Sequence, residues 1–385
     1  MPVPLHTRPM TTNLHRAPTP RLDIAYETGG PPDGFPVLLL HGWPDDVRTW
    51  DGIVPALHAA GFRTVTPYLR GFGPTRFRGE ACPRSGQLAA LGADLLDLAD
   101  ALGLGRFAVI GHDWGARAAY IAACTAPDRL AACIALSVGW GTNDPGQPLT
   151  LSQTQNYWYH WLMALPRGAA LVRNDRHRLT RHIWTIWNPG WPVPEAVFTA
   201  TAPAFDNPDW AEVTVHSYRV RWGHAEPDPH YAALEARLAA DPVIRVPTLT
   251  LHGGSDPCND PATSEDREAL FAGGYRRVVL PGLGHFPQRQ APEAVLEEVL
   301  PFLTRIVSGD DAASGALSVG VDTGSAKQSA SQHGPGADRC ATGAGGTAPK
   351  GQASSPLLTF ADLLGTKPPS LAILRALRPA AHGGS

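Results

Sequence analysis

Cysteine is scarce in this chain: five residues in 385, with no C-x-x-C pair among them. Cys82, Cys124, Cys133, Cys258 and Cys340 are odd in number and widely scattered, which is not a disulfide framework. They read as free thiols in a reducing compartment, so the expected location is cytoplasmic. An excess of charge of either sign is also missing. The 32 Lys and Arg against 35 Asp and Glu leave a formal charge of −3, which gives no electrostatic footing for nucleic acid. Arg173, Arg176, Arg178 and Arg181 cluster locally, and a solvated helix face accounts for them. No run of about 18 apolar residues occurs, which excludes a membrane-spanning helix. The first residues, Met1-Pro2-Val3-Pro4, have no apolar h-region, so neither secretion nor an anchor is expected. There is no H-E-x-x-H and no Cys/His cluster, so neither a metal nor a cofactor is expected.

What is present alternates. Arg21-Leu22-Asp23-Ile24-Ala25-Tyr26-Glu27 has the pattern of a half-exposed strand, and Val37-Leu38-Leu39-Leu40 that of a strand buried on both faces. A helix over roughly 46–60 and a strand at Phe62-Arg63-Thr64-Val65-Thr66-Pro67 follow. Leu88, Leu91, Leu95, Leu98 and Leu102 recur at helical spacing, and two further apolar strands follow near 107–110 and 132–137. Strands begin again near 246 and 277, and Pro292 opens a last amphipathic helix to about 306. This rhythm predicts an α/β fold with a doubly wound, mostly parallel sheet. It divides the chain into a flexible N-terminus (1–20), a first core part (21–139), a helical lid (140–235), a second core part (236–307) and a tail (308–385). The lid segment is dense in aromatics, and an aromatic insertion at the carboxyl edge of such a sheet can roof an apolar pocket. The tail is rich in Gly, Ala, Ser and Thr and is expected to be mostly disordered, with short apolar patches at 357–364 and 370–377.

The most telling stretch is Gly111-His112-Asp113-Trp114-Gly115, set between the apolar run Phe107-Ala108-Val109-Ile110 and a helix of small residues. Strand, sharp turn and helix, with Gly two residues to each side of a reactive side chain, form a nucleophile elbow. The usual occupant is Ser; here it is Asp113. A carboxylate with a reference pKa of roughly 4 needs no base to ionise. Its attack on an acyl carbon gains little, whereas attack on a saturated carbon gives an ester that water can cleave. Epoxides and carbon–halogen bonds are the electrophiles that suit it. Partners follow in the order nucleophile, acid, His. Asp256 sits just past one late strand, and His285 lies in a Gly-flanked loop after the next, where Asp256 can orient it. His41, His112 and His252 also lie at strand ends, in positions that suit loop hydrogen bonding.

These motifs, with His41-Gly42-Trp43-Pro44, resemble the α/β-hydrolase fold superfamily over roughly residues 20–306, and within it the epoxide hydrolase and haloalkane dehalogenase branch. The resemblance implies Asp113 as nucleophile, His285 as the base that activates water, Asp256 as its partner, and the backbone N–H groups of Trp43 and Trp114 as the oxyanion hole. It implies Tyr218 as one lid tyrosine that protonates an opening epoxide, with Tyr157 or Tyr159 as the other. Tyr159-His160-Trp161 also resembles the halide-binding pair of fluoroacetate-type dehalogenases, and Arg117 resembles one of the two arginines that grip a carboxylate there, Trp114 replacing the other. Trp43 stands where haloalkane dehalogenases have Asn. Epoxide opening to diols is therefore the leading expectation, haloalkane or haloacetate dehalogenation the alternative, and a non-catalytic small-molecule receptor the reading of another class. The expected partners are a small apolar electrophile and water, without nucleic acid or membrane.

Overall fold

The computed structural model describes residues 14–142, 148–309 and 321–322. Its strands are β1 (Leu14–Pro18), β2 (Leu22–Gly29), β3 (Pro36–Leu40), β4 (Arg63–Pro67), β5 (Arg76–Phe77), β6 (Phe107–His112), β7 (Leu130–Leu136), β8 (Thr248–Gly253), β9 (Tyr275–Leu280) and β10 (Val321–Asp322). They join in one sheet in the order β1-β2-β4-β3-β6-β7-β8-β9-β10, with β5 paired to β2. The pairs β1/β2, β2/β4 and β2/β5 are antiparallel, and every pair from β4 to β10 is parallel. The mostly parallel sheet follows from the apolar runs: β6, β7 and β8 are buried at every position because helices cover both faces.

The helices are α1 (Val54–Ala59), α2 (Leu88–Ala101), α3 (Trp114–Thr125), α4 (Leu151–Asn156), α5 (Trp158–Ala164), α6 (Pro166–Asn174), α7 (Arg176–Trp187), α8 (Glu195–Thr201), α9 (Trp210–Val220), α10 (Ala232–Ala240), α11 (Pro287–Gln290) and α12 (Pro292–Ser308). Side chains alternate along β3 into two apolar layers. Leu38 and Leu40 join the layer containing Leu91 and Leu95 of α2, whereas Val37 and Leu39 join that of Leu57, Val295 and Val299. Between β7 and β8 the described residues form helices α4–α10 and no strand, so the insertion opens at the carboxyl end of the strand that follows the elbow helix. None of the described helices is long and apolar enough to cross a membrane.

Three expectations change in detail. Residues 14–18, assigned to a flexible N-terminus, form a strand that pairs with β2 from Leu14↔Glu27 to Pro18↔Asp23. The backbone ladder carries it, since only Ala17 of its five residues is buried. The single helix over 46–60 is a 3₁₀ turn, Val47–Trp50, followed by α1. Pro55 explains the break, because it lacks the N–H that a continuous helix would use there. The last helix runs on to Ser308, where Gly309 stops it in the left-handed region at φ 80°. The expected tail disorder, its apolar patches and Cys340 lie outside the described residues.

Candidate active site

Asp113 lies between β6 and α3 with φ 49° and ψ −111°, a backbone that L side chains rarely adopt. The flanking glycines make this turn possible. A Cβ at Gly111 would lie 2.2 Å from the Gly115 carbonyl oxygen, and one at Gly115 would lie 2.1 Å from that of Leu40. The side chain is thereby held at the carboxyl end of the sheet. The Trp43 N–H donates to Asp113 Oδ1 at 2.9 Å, and His285 Nε2 lies 3.7 Å from Oδ2. Trp114 is the first residue of α3, so its N–H is among the donors that a helix leaves without an intrahelical acceptor.

His285 is held from several directions. Its Nδ1 donates to Asp256 Oδ2 at 2.8 Å, leaving Nε2 buried, without a hydrogen-bond partner and turned to Asp113. Its carbonyl accepts from His112 Nε2 at 2.7 Å and from Ser137 Oγ at 2.9 Å. Its N–H donates to the Trp187 carbonyl at 2.9 Å, at the end of α7. Asp256 is fixed in turn, Oδ1 accepting from the N–H groups of Cys258 at 2.7 Å and Asn259 at 3.1 Å. Ser137, Trp187 and Asn259 carry no motif of their own; they act by position, which spacing does not reveal. His41 donates to the Gly42 carbonyl and accepts from the Leu69 N–H, and His252 bonds Ser264 and the Asn259 carbonyl. These rings, like that of His112, fasten loops.

The electrostatics follow from burial and pairing. Burial pushes the Asp256 pKa up, but His285 and His252 outweigh it and hold the carboxyl at about 2. Burial opposes a charge on His285, yet Asp256, with Cys258 and Asp113 adding to it, raises its pKa well above the usual imidazole range. Asp113 is desolvated too, but the charge of the nearby His285 keeps its pKa below normal. The nucleophile candidate is thus ionised and faces a protonated ring. Asp256, Cys258 and His285 offer donor atoms within 4.8 Å of one another and are the described residues that could hold a metal ion. Burial raises the Cys258 thiol, so an ion would have to displace protons from both Cys258 and His285.

Aromatic side chains close over Asp113. Tyr159 stacks on Trp43 at 5.6 Å between centroids, and Tyr218 meets Trp43 edge-on at 5.1 Å and Tyr159 at 5.2 Å. Both phenols are buried, which raises their pKa well above normal and keeps them protonated. Tyr159 O–H lies 3.4 Å from Cys258 Sγ. Tyr157 turns away from this group: its hydroxyl donates to Asn259 Oδ1 at 3.2 Å, and its ring stacks on His160 at 4.1 Å. His160 is buried and accepts at Nδ1 from Trp222 Nε1 at 3.2 Å. Trp161 does not line the site as expected. Its indole N–H donates to the Thr154 carbonyl at 2.9 Å and its ring packs on Trp222, so the hydrogen bond that a halide would need is already spent. Arg117 is buried one turn along α3. Arg221, which the motifs did not single out, lies with Cζ 4.9 Å from the Tyr218 ring centroid and 5.8 Å from that of Trp114. Its signal was the i, i+3 spacing from Tyr218, which puts both on one helix face.

The family model for the alpha/beta hydrolase fold matches residues 36–292, well over half of the chain. The chain belongs to the α/β-hydrolase fold family. Among relatives in this family, epoxide hydrolase A of Mycobacterium tuberculosis is 28% identical over 325 residues, covering 75% of this chain and 98% of its own. The soluble epoxide hydrolase of Corynebacterium sp. (strain C12) is 27% identical over 308 residues, covering 76% and 98%. A crystal structure from Klebsiella pneumoniae, described as a candidate epoxide hydrolase, matches this α/β-hydrolase with a TM-score of 0.70 at 37% identity, covering 75% of this chain and 97% of the other.

Proposed function

We propose that the protein hydrolyses epoxides to diols through an ester on Asp113. The observation that carries this reading is the placing of one carboxylate between a backbone donor on Oδ1 and His285 Nε2 near Oδ2, under two protonated phenols. The names of the relatives, epoxide hydrolases at 98% coverage of their own length, support it. In the first half-reaction an Asp113 oxygen attacks an epoxide carbon, the C–O bond breaks, and the alkoxide takes the Tyr218 proton, with Tyr159 donating a hydrogen bond beside it. Tyr159 fits this role better than Tyr157, whose hydroxyl is bound to Asn259.

Esterification removes the Asp113 charge that helped hold the proton on His285. That proton returns to the tyrosinate, and His285 becomes a free base. It then takes a proton from water as the water oxygen attacks the ester carbonyl, and the Trp43 and Trp114 N–H groups receive the oxyanion. Collapse releases the diol, His285 supplying the proton to its new hydroxyl, and leaves Asp113 as a carboxylic acid with one oxygen from water, whose proton passes to His285 and restores the starting ion pair. The helical insertion acts here as a lid that excludes bulk water. Dehalogenation stands second, because Trp161 is turned from the site.

A single turnover of styrene oxide in 18O-labelled water tests the scheme. The label is expected in the Asp113 carboxylate, with the product's new oxygen coming from unlabelled enzyme. Asp113→Ala is expected to abolish turnover with the circular dichroism spectrum retained. Label appearing directly in the first-turnover product overturns the ester mechanism.

A further inference from the structure

The backbone around His285 is held from two sides. The sheet side takes the His285 carbonyl, through His112 Nε2 and Ser137 Oγ. The helical insertion takes two consecutive N–H groups. That of His285 donates to the Trp187 carbonyl at 2.9 Å, and that of Phe286 to Asn188 Oδ1 at 3.0 Å. Trp187 is the last residue of α7, and Asn188 is its C-cap. Asn188 Nδ2 in turn donates to the Trp184 carbonyl at 2.8 Å, one of those that a helix end leaves without an intrahelical donor. The amide thus stands in for a peptide group, with its nitrogen on the helix and its oxygen on the base loop. Its orientation is fixed, since a carbonyl faces one end and an N–H the other.

The contact is tight. A Cβ at Gly284 would lie 2.5 Å from the Trp187 carbonyl oxygen and 2.7 Å from Asn188 Cα. The Trp187 ring meets that of His285 edge-on, with centroids 4.8 Å apart. Trp184 Nε1 donates to the Pro44 carbonyl at 2.6 Å, so the helix end is itself anchored. Asn188 is 1% exposed, and removing its amide would strand a buried N–H and a buried carbonyl together.

We propose that Asn188 is a positioning residue for His285. It seats the base loop against the end of α7, so that release of the ester depends on the helical insertion. This rests on the ester reading of Asp113. Ester formation draws on Asp113 and the phenols and makes no use of His285 as a base. Hydrolysis does, because Nε2 has to meet a water at hydrogen-bond range. A displaced base loop therefore slows the second half-reaction and spares the first.

The test follows styrene oxide with the full chain, with Asn188→Leu, and with Thr180→Val, which removes a hydroxyl hydrogen bond within α7 away from the base loop. Tryptophan fluorescence after rapid mixing reads ester formation, and acid quenching with intact mass reads the ester present at saturating substrate. In Asn188→Leu, kcat is expected to fall by about tenfold to a hundredfold, the scale of a misplaced catalytic group. KM is expected to fall with it, leaving kcat/KM within about threefold of the parent, with the chain standing as its ester. Thr180→Val is expected to match the parent in each readout. If Asn188→Leu fails to fold by circular dichroism, Asn188→Ser, too short to reach the Phe286 N–H, is read by the same criteria. A parent-like kcat, a loss of kcat/KM as large as that of kcat, or the same loss in Thr180→Val overturns the positioning role, while an ester on the parent leaves the epoxide reading standing. A parent that forms no ester overturns both.

Discussion

At the scale of single residues, two tyrosines on the insertion carry hydroxyls with different commitments. Tyr157 spends its hydroxyl on Asn259, whereas Tyr218 packs on Trp43, Trp114 and Tyr159 around the nucleophile candidate. Ring opening yields an alkoxide far more basic than a phenolate, so losing the donor should slow that step by about 10²–10⁴, the usual scale of general acid catalysis. Tyr218→Phe keeps the ring and removes only the oxygen. It is expected to slow ester formation on that scale, followed as rapid quenching of tryptophan fluorescence because Trp43 and Trp114 flank Asp113. Tyr157→Phe should change the same phase by much less. Equal losses in the two variants would place the acid elsewhere.

At the scale of elements, the elbow is built by backbone contact. A methyl group on Gly115 would meet the Leu40 carbonyl at 2.1 Å, and neither strand nor helix can yield there without losing its ladder. Gly115→Ala is expected to cost about 3 kcal/mol or more in urea denaturation, at the upper end for overpacking. Gly111 and Gly115 were legible in the sequence, as were β3, β6 and β7, because strands buried on both faces are near-continuous apolar runs. β1 was not legible: Leu14, His15, Arg16 and Pro18 are exposed, and only the partner strand makes an edge of that composition extended. Asp113, Asp256 and His285 stood out as candidates because each follows a strand in a fixed order, and the fold brings the three together. Arg221 was missed despite its i, i+3 spacing from Tyr218, because its packing against the Tyr218 and Trp114 rings shows only in the fold. Trp161 misled for the same reason, its neighbours in sequence saying nothing of where its indole N–H is spent.

At the scale of the whole molecule, the buried pair of Asp256 and His285 couples the site to stability. Asp256 falls from the ordinary 3.8 to about 2 on folding, worth about 2 kcal/mol. A depressed carboxylate stabilises fully above its unfolded value and loses that contribution as pH falls from about 4 through about 2. The melting temperature of the parent is therefore expected to exceed that of Asp256→Asn at pH 5 to 6, with the gap closing as the pH is lowered to 2. A constant gap over that range would show that packing, not ionisation, makes the difference. The parts of this pair's surroundings also lie far apart along the chain: the hydrogen bond from His112 to the His285 carbonyl joins residues 173 positions apart, with the whole helical insertion between them. During synthesis the ribosome delivers Asp113 long before the base that would discharge its ester. On the proposed mechanism, an Asp113 ester formed before His285 is in place has no base to release it. Only when the chain past His285 has folded against β6 is the candidate nucleophile paired with its candidate base.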